Sequence, residues 1–239
     1  MPQTPLLNHS SSYLFVNILL NPLLNTLGTE KQNCYTHHME SKPYDIVLLP
    51  ENNLGDKIVS ISQSLENYTT HFTLNQQNFF AHLSLYMLQL NEDGVARACK
   101  LLQAAATEIK TQKLHPKCYH YENEYLDIEY EKTEELSVLQ NNIISLLNPI
   151  RNGLREKDEI RLQTAIGIER MNLLTYGYRS VGSEFSPHVT FTRFTSEQRQ
   201  TLMELPLLQE LEGKFNRIGI FQMGDNGTCT TEVQTYSLS

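Results

Sequence analysis

The chain has 239 residues, 40% hydrophobic and 19% charged, a composition that supports a folded core and excludes disordered, collagen-like, coiled-coil and multi-span membrane classes. Its 19 Lys and Arg against 27 Asp and Glu give a formal net charge of −8, which disfavours a sequence-independent grip on long nucleic acid but leaves room for a pocket holding one phosphate. Four cysteines (Cys34, Cys99, Cys118 and Cys229) form no CxxC pair, which excludes a disulfide framework and points to a reducing compartment.

Residues 1–42 carry no clear period. Their apolar stretches, Tyr13–Leu20 and Leu23–Leu27, are broken by Asn17, Asn21 and Pro22 and fall short of the ~20 apolar residues a spanning helix needs. No Lys or Arg precedes Lys31, and a small-residue cleavage site is not evident, so a secretory signal is disfavoured as well. We expect a disordered or dispensable tail over 1–42, with Met39 as a natural start, and one folded domain over 43–239.

The run Tyr44–Pro50 reads as a buried strand, and Leu54, Ile58, Ile61 and Leu65 recur at helical spacing. Residues 70–74 and 79–88 read as extended. Asn91 is a candidate N-cap, with Glu92 and Asp93 in the first turn of a helix through Val95, Ala98, Leu102, Ala105 and Ile109. Tyr119–Tyr130 is Tyr-rich and reads as strand-like, followed by a helix on Leu136, Leu139, Ile143 and Leu147 that Pro149 stops. Another helix is expected over 157–175, closed by Gly177.

After a strand at 185–194, Thr195-Ser196-Glu197-Gln198 reads as a capping box for a short helix ended by Pro206. Phe215–Gln222 and Cys229–Leu238 form two strands joined by the hairpin signal Gly224-Asp225-Asn226-Gly227. Interleaved strands and helices without a glycine-rich phosphate loop predict an α+β fold with mostly antiparallel pairing.

Four of the eight histidines, His9, His71, His82 and His188, satisfy His-x-Ser/Thr, a weak pattern by itself. Context separates two of them. FFAHLSL around His82 and FSPHVTF around His188 match at Phe, at a small residue or Pro, at His, at an aliphatic, at a hydroxyl and at a bulky apolar residue, with Leu88 and Phe194 six residues past each histidine, and the copies lie 106 residues apart. That is the mark of a duplicated lobe. On a strand, residues i and i+2 share a face, so His82 stands beside Ser84 and His188 beside Thr190, while Leu83, Leu85, Val189 and Phe191 point into a core. Two such strands around one cavity supply a proton acceptor, a proton donor and two hydroxyls for the oxygens of a phosphodiester.

At these residues the sequence resembles the two-histidine phosphoesterase superfamily, which contains bacterial RNA-ligase-like and 2′,3′-cyclic nucleotide phosphodiesterases. The resemblance runs from about Tyr44 to the C-terminus, through IVLLP, HLSLY, TYGYRSVGSEFSPHVTFTRF and NGTCTTEVQTYSL in family order. Ser84 stands where many members have Thr, which keeps the hydroxyl. The resemblance implies a bilobal α+β fold of two pseudo-symmetric lobes, each with a mostly antiparallel sheet and flanking helices, and a cleft between them. It also implies His82, His188, Ser84 and Thr190 as the catalytic set.

Tyr86, Arg193 and Tyr178 are candidates for touching phosphate or base, with packing roles an equal alternative. His71 lacks the context residues and is expected on a strand near the cleft. Neither His115, Cys118 and His120 nor Cys34, His37 and His38 has a familiar zinc spacing, so no metal and no cofactor is expected. The expected activity is metal-independent hydrolysis of a cyclic phosphodiester, on a small cyclic nucleotide or an RNA terminus, by a cytoplasmic monomer with no membrane or long-duplex partner. The alternatives are a non-catalytic nucleotide-binding module on the same scaffold and RNA 2′-5′ end-joining.

Overall fold

A computed structural model describes residues 40–196 and 204–239. The expected tail, apart from its last residues, and most of the expected 195–206 helix lie outside them, as do Cys34, His37 and His38. The chain runs β1 (Lys42–Pro50), α1 (Asn52–Ser64), β2 (Leu83–Leu90), α2 (Glu92–Ala106), β3 (Gln112–Leu114), β4 (Pro116–Glu122) and β5 (Tyr125–Tyr130). It continues through α3 (Glu134–Leu147), α4 (Glu156–Leu162), α5 (Gly167–Tyr176), β6 (His188–Arg193), β7 (Gly213–Met223) and β8 (Cys229–Ser237).

Among the described residues two sheets form, and every strand pairing is antiparallel. One has the order β2-β1-β7-β3, with β8 also on β7; the other is β4-β5-β6. This is the expected α+β architecture, with sheets of unequal size. Both motif strands, β2 and β6, are edge strands. The helices are placed crosswise: α1 packs on β6 as well as on β1, and α3 packs on β2. One hydrophobic core therefore runs through both sheets, from Ile46, Leu48, Leu83 and Leu85 to Leu126, Ile128, Val189 and Phe191, each fully buried. Side chains of this size contribute roughly 1.5–3 kcal/mol each on burial.

Local chemistry explains most element ends. The Asn91 side chain accepts from Gly94 N at 2.8 Å, the expected cap, and Thr133 Oγ1 accepts from Leu136 N at 3.1 Å to start α3. Gly177 ends α5 with φ +67°, as read from sequence.

Three readings need correction. The strand-like stretch Tyr119–Tyr130 is the hairpin β4–β5, because Asn123 and Glu124 both take positive φ (50° and 70°) and turn the chain tightly. The expected 157–175 helix is two helices, broken between Leu162 and Gly167, which has φ +56°. Residues 70–74 form no strand; they meet the second sheet through an isolated bridge from Thr70 to Phe194 and through single hydrogen bonds of His71 and Phe72 to β6.

Candidate active site

The two copies of the motif share a backbone irregularity. Along β2, Ser84 pairs with Val47 and Tyr86 with Ile46, so Leu85 is skipped. Along β6, Thr190 pairs with Asp127 and Thr192 with Leu126, so Phe191 is skipped. Each skip is a β-bulge one residue past the hydroxyl, and it puts two successive residues on the core side. The unladdered carbonyls are captured by buried side chains of the crosswise helices: Gln140 Nε2 of α3 donates to Leu85 O at 3.1 Å, and Ser62 Oγ of α1 donates to Phe191 O at 2.6 Å.

The histidines are held alike. The ring Nδ1 of His82 lies 2.7 Å from Phe80 O, and that of His188 lies 2.8 Å from Ser186 O, the carbonyl two residues back in both cases. A carbonyl only accepts, so each Nδ1 carries the proton and each neutral ring keeps its lone pair on Nε2. His188 is exposed, and the His82 side chain is 12% exposed. The strands β2 and β6 adjoin, and His188 is near enough for its charge to act on His82. Burial first, then that charge, hold the His82 imidazole well below its ordinary value, at about 4, against the opposing pull of Phe80 O.

A carboxylate absent from the sequence reading completes the first half-site. Asp45 of β1 is fully buried, and its Oδ2 accepts from Ser84 Oγ at 2.6 Å and lies 3.8 Å from His82 Nε2. Burial pushes its carboxyl up to about 7, with Ser84 and Arg155 pulling the other way. Its Oδ1 is buried without a hydrogen-bond partner among the described residues. The only signal for Asp45 was an acid inside the strand YDIVLLP, where an unpaired charge is costly. Cys229, at the start of β8, is fully buried with Val47, Leu49 and Phe221 on the face that Asp45 shares. Its reactive atom, one from Asp45 and one from His82 all lie within 4.8 Å of one another.

The remaining candidates divide. The bulge at Leu85 turns Tyr86 away from the cleft into the core, where its hydroxyl donates to Tyr176 O at 2.7 Å. Arg193 ends β6, with Nη1 on Asn226 Oδ1 at 2.8 Å, Nη2 on Glu124 Oε2 at 3.0 Å and its guanidinium 5.0 Å above the Tyr125 ring. Tyr178 is buried, 6.1 Å from the Tyr86 ring and 5.8 Å from the Arg155 guanidinium; burial, with Asp45 nearby, pushes its phenol up to about 12. Thr190 is half-buried opposite Asp127.

His71 is exposed in an irregular segment rather than on a strand, and its backbone N–H donates to Arg193 O. The His115, Cys118 and His120 side chains each face a carboxylate: Glu212, Glu129 and Asp127 respectively. A cavity of about 170 Å³ lined by Leu49, Gln76, Phe80, Ala81 and Arg217 lies beside the His82 strand and includes neither motif histidine. Among the described residues, no helix is long and apolar enough to cross a membrane.

No protein-family model matches the chain, and no curated protein matches it. Among solved structures it is similar to TT0787 of Thermus thermophilus, with 13% identity and a TM-score of 0.55 over 82% of this chain and 97% of that one. It is similar to a phosphoesterase with 13% identity and a TM-score of 0.52 over 84% and 99%. It is also similar to E. coli LigT in apo form, with 12% identity and a TM-score of 0.51 over 84% and 99%. At such identities the likeness is one of fold alone, and the fold of this chain is the one these three structures share.

Proposed function

We propose that the protein hydrolyses a cyclic phosphodiester, a 2′,3′-cyclic phosphate on a nucleotide or RNA end, with His82 as general base and His188 as general acid. The observation that carries this reading is the matched pair of imidazoles, each fixed through Nδ1 on a bulged edge strand and each followed by a hydroxyl two residues on. Burial keeps His82 neutral, so its Nε2 takes a proton from water as the water oxygen bonds to phosphorus. His188, open to solvent, protonates the departing ribose oxygen as its bond to phosphorus breaks. Thr190 donates to a non-bridging oxygen. Ser84 differs from expectation because its proton goes to Asp45; once Asp45 is protonated, the acid can donate to Ser84 Oγ and release the serine proton toward phosphate. Of proteins with this fold, E. coli LigT has been solved in complexes with ATP and with NADP+.

The test is release of a phosphate monoester from a panel of 2′,3′-cyclic nucleotides by purified protein. Replacing His82 or His188 by Ala is expected to lower kcat by about 10²–10⁴-fold, the usual worth of general acid–base catalysis. His71→Ala is expected to leave turnover unchanged. Full rates in both His82→Ala and His188→Ala overturn the reading.

A further inference from the structure

We propose that Asp45, His82 and Cys229 bind a thiophilic divalent cation of the zinc class, and that its binding switches off the histidine pair. The second half rests on the phosphodiesterase reading above; the first does not.

The donor set is one thiol, one imidazole and one carboxylate, with one potential ligand atom from each within 4.8 Å of the others. Zn²⁺ takes these donors at about 2.0–2.3 Å, so a central ion places its ligand atoms roughly 3–4 Å apart, and small side-chain movements suffice. A thiolate selects zinc-like ions over Mg²⁺ and Ca²⁺, which favour oxygen.

The surroundings fit the same occupant. A metal-ligating imidazole usually donates its other ring N–H to a carbonyl or carboxylate, and His82 Nδ1 is already committed to Phe80 O, leaving Nε2 to coordinate. Ser84 Oγ orients the Asp45 carboxylate through Oδ2. Asp45 Oδ1 is buried with no partner among the described residues, an arrangement that costs free energy unless something binds there. Cys229 and Asp45 are fully buried, and the partly exposed His82 leaves a way in from the cleft. Three protein ligands leave a fourth position for water. An ion held on His82 Nε2 occupies the lone pair that hydrolysis needs, so the cation inhibits and is no cofactor.

The experiment uses the full chain stripped with a chelator and titrated with Co²⁺ as a spectroscopic stand-in for Zn²⁺. The expected result is one tightly bound cobalt per chain with a thiolate-to-cobalt charge-transfer band. Cys229→Ser abolishes the band, Asp45→Asn weakens binding at least about tenfold, and replacing Cys34, Cys99 and Cys118 by Ser leaves it intact. Circular dichroism of each variant establishes that it is folded; should Cys229→Ser fail to fold, Asp45→Asn carries the test. Absence of a band, or one that survives Cys229→Ser, overturns the site. In a second arm, Zn²⁺ inhibits cyclic phosphate hydrolysis by the wild-type chain but not by Cys229→Ser, each rate read against that protein's own metal-free rate. A wild-type rate indifferent to saturating Zn²⁺ overturns the switch. A chain that hydrolyses none of the substrates overturns the phosphodiesterase reading, and the cobalt band still decides the site.

Discussion

Replacing Asp45 by Asn isolates the buried acid beside His82. Burial lifts its carboxyl from an ordinary 3.8 to about 7. Between those values the unfolded chain has released the proton while the native chain keeps it. The native state then binds more protons, and its stability falls as pH rises. A carboxyl held at about 7 in the native chain against 3.8 in the unfolded one, at ~1.4 kcal/mol per tenfold change in proton affinity, gives a loss on the order of 4 kcal/mol between about pH 4 and pH 7.

The amide keeps the shape of the side chain and an oxygen for Ser84 Oγ but has no carboxyl proton to lose. His82 runs in the opposite direction: burial lowers it from 6.5 to about 4, so its contribution is lost as pH falls through that window. That contribution is common to both proteins, and the difference between them belongs to Asp45. Urea unfolding of chelator-treated wild type and Asp45→Asn across this pH range is expected to show the variant gaining on the wild type steadily as pH rises. A difference that stays flat, or that grows toward acid, refutes the reasoning.

Gln140→Ala leaves Leu85 O and Ser180 O without their donor, and Ser62→Ala does the same to Phe191 O; urea midpoints are expected to report about 1–3 kcal/mol per orphaned carbonyl. Gly177→Ala forces a side chain into φ +67° with its Cβ 2.8 Å from the Arg151 side chain, so a loss of about 1–2 kcal/mol, or more if Arg151 cannot move, is expected in thermal melts. A chain beginning at Met39 is expected to fold and melt like the full chain, since Met39–Ser239 is a compact unit by itself; an insoluble or strongly destabilised product counts against this.

The histidine pair was legible because a duplicated seven-residue context repeats a physical constraint, a half-buried edge strand with its polar atoms on one side. Asn91 and Gly177 were legible because capping is decided within a few residues. For Tyr86 the cleft and packing roles stood as equal alternatives, and the bulge at Leu85 decides for packing. The signal for the bulge was present: in LSLYMLQL the leucines shift from positions 83 and 85 to 88 and 90, a change of phase that only an extra residue allows. Asp45 and Cys229 escaped because their proximity joins β1 to β8, nearly 200 residues apart, through pairing with β7. The Asn123-Glu124 turn escaped because Glu is an unusual residue at positive φ.

The edge position of both motif strands bears on how the protein behaves at high concentration. A free edge offers a row of unpaired N–H and C=O groups on which a strand of another molecule can assemble. Both edges are interrupted. On β2, Gln140 Nε2 takes Leu85 O and the Asn152 N–H takes Gln89 O at 2.8 Å. On β6, the His71 N–H takes Arg193 O at 2.7 Å, Thr192 Oγ1 donates to Phe72 O at 2.6 Å, and Thr70 bridges Phe194. The strands can thus present histidines at a cleft without offering a continuous ladder to a second chain, and the same contacts that shape the site guard the protein against sheet-to-sheet aggregation.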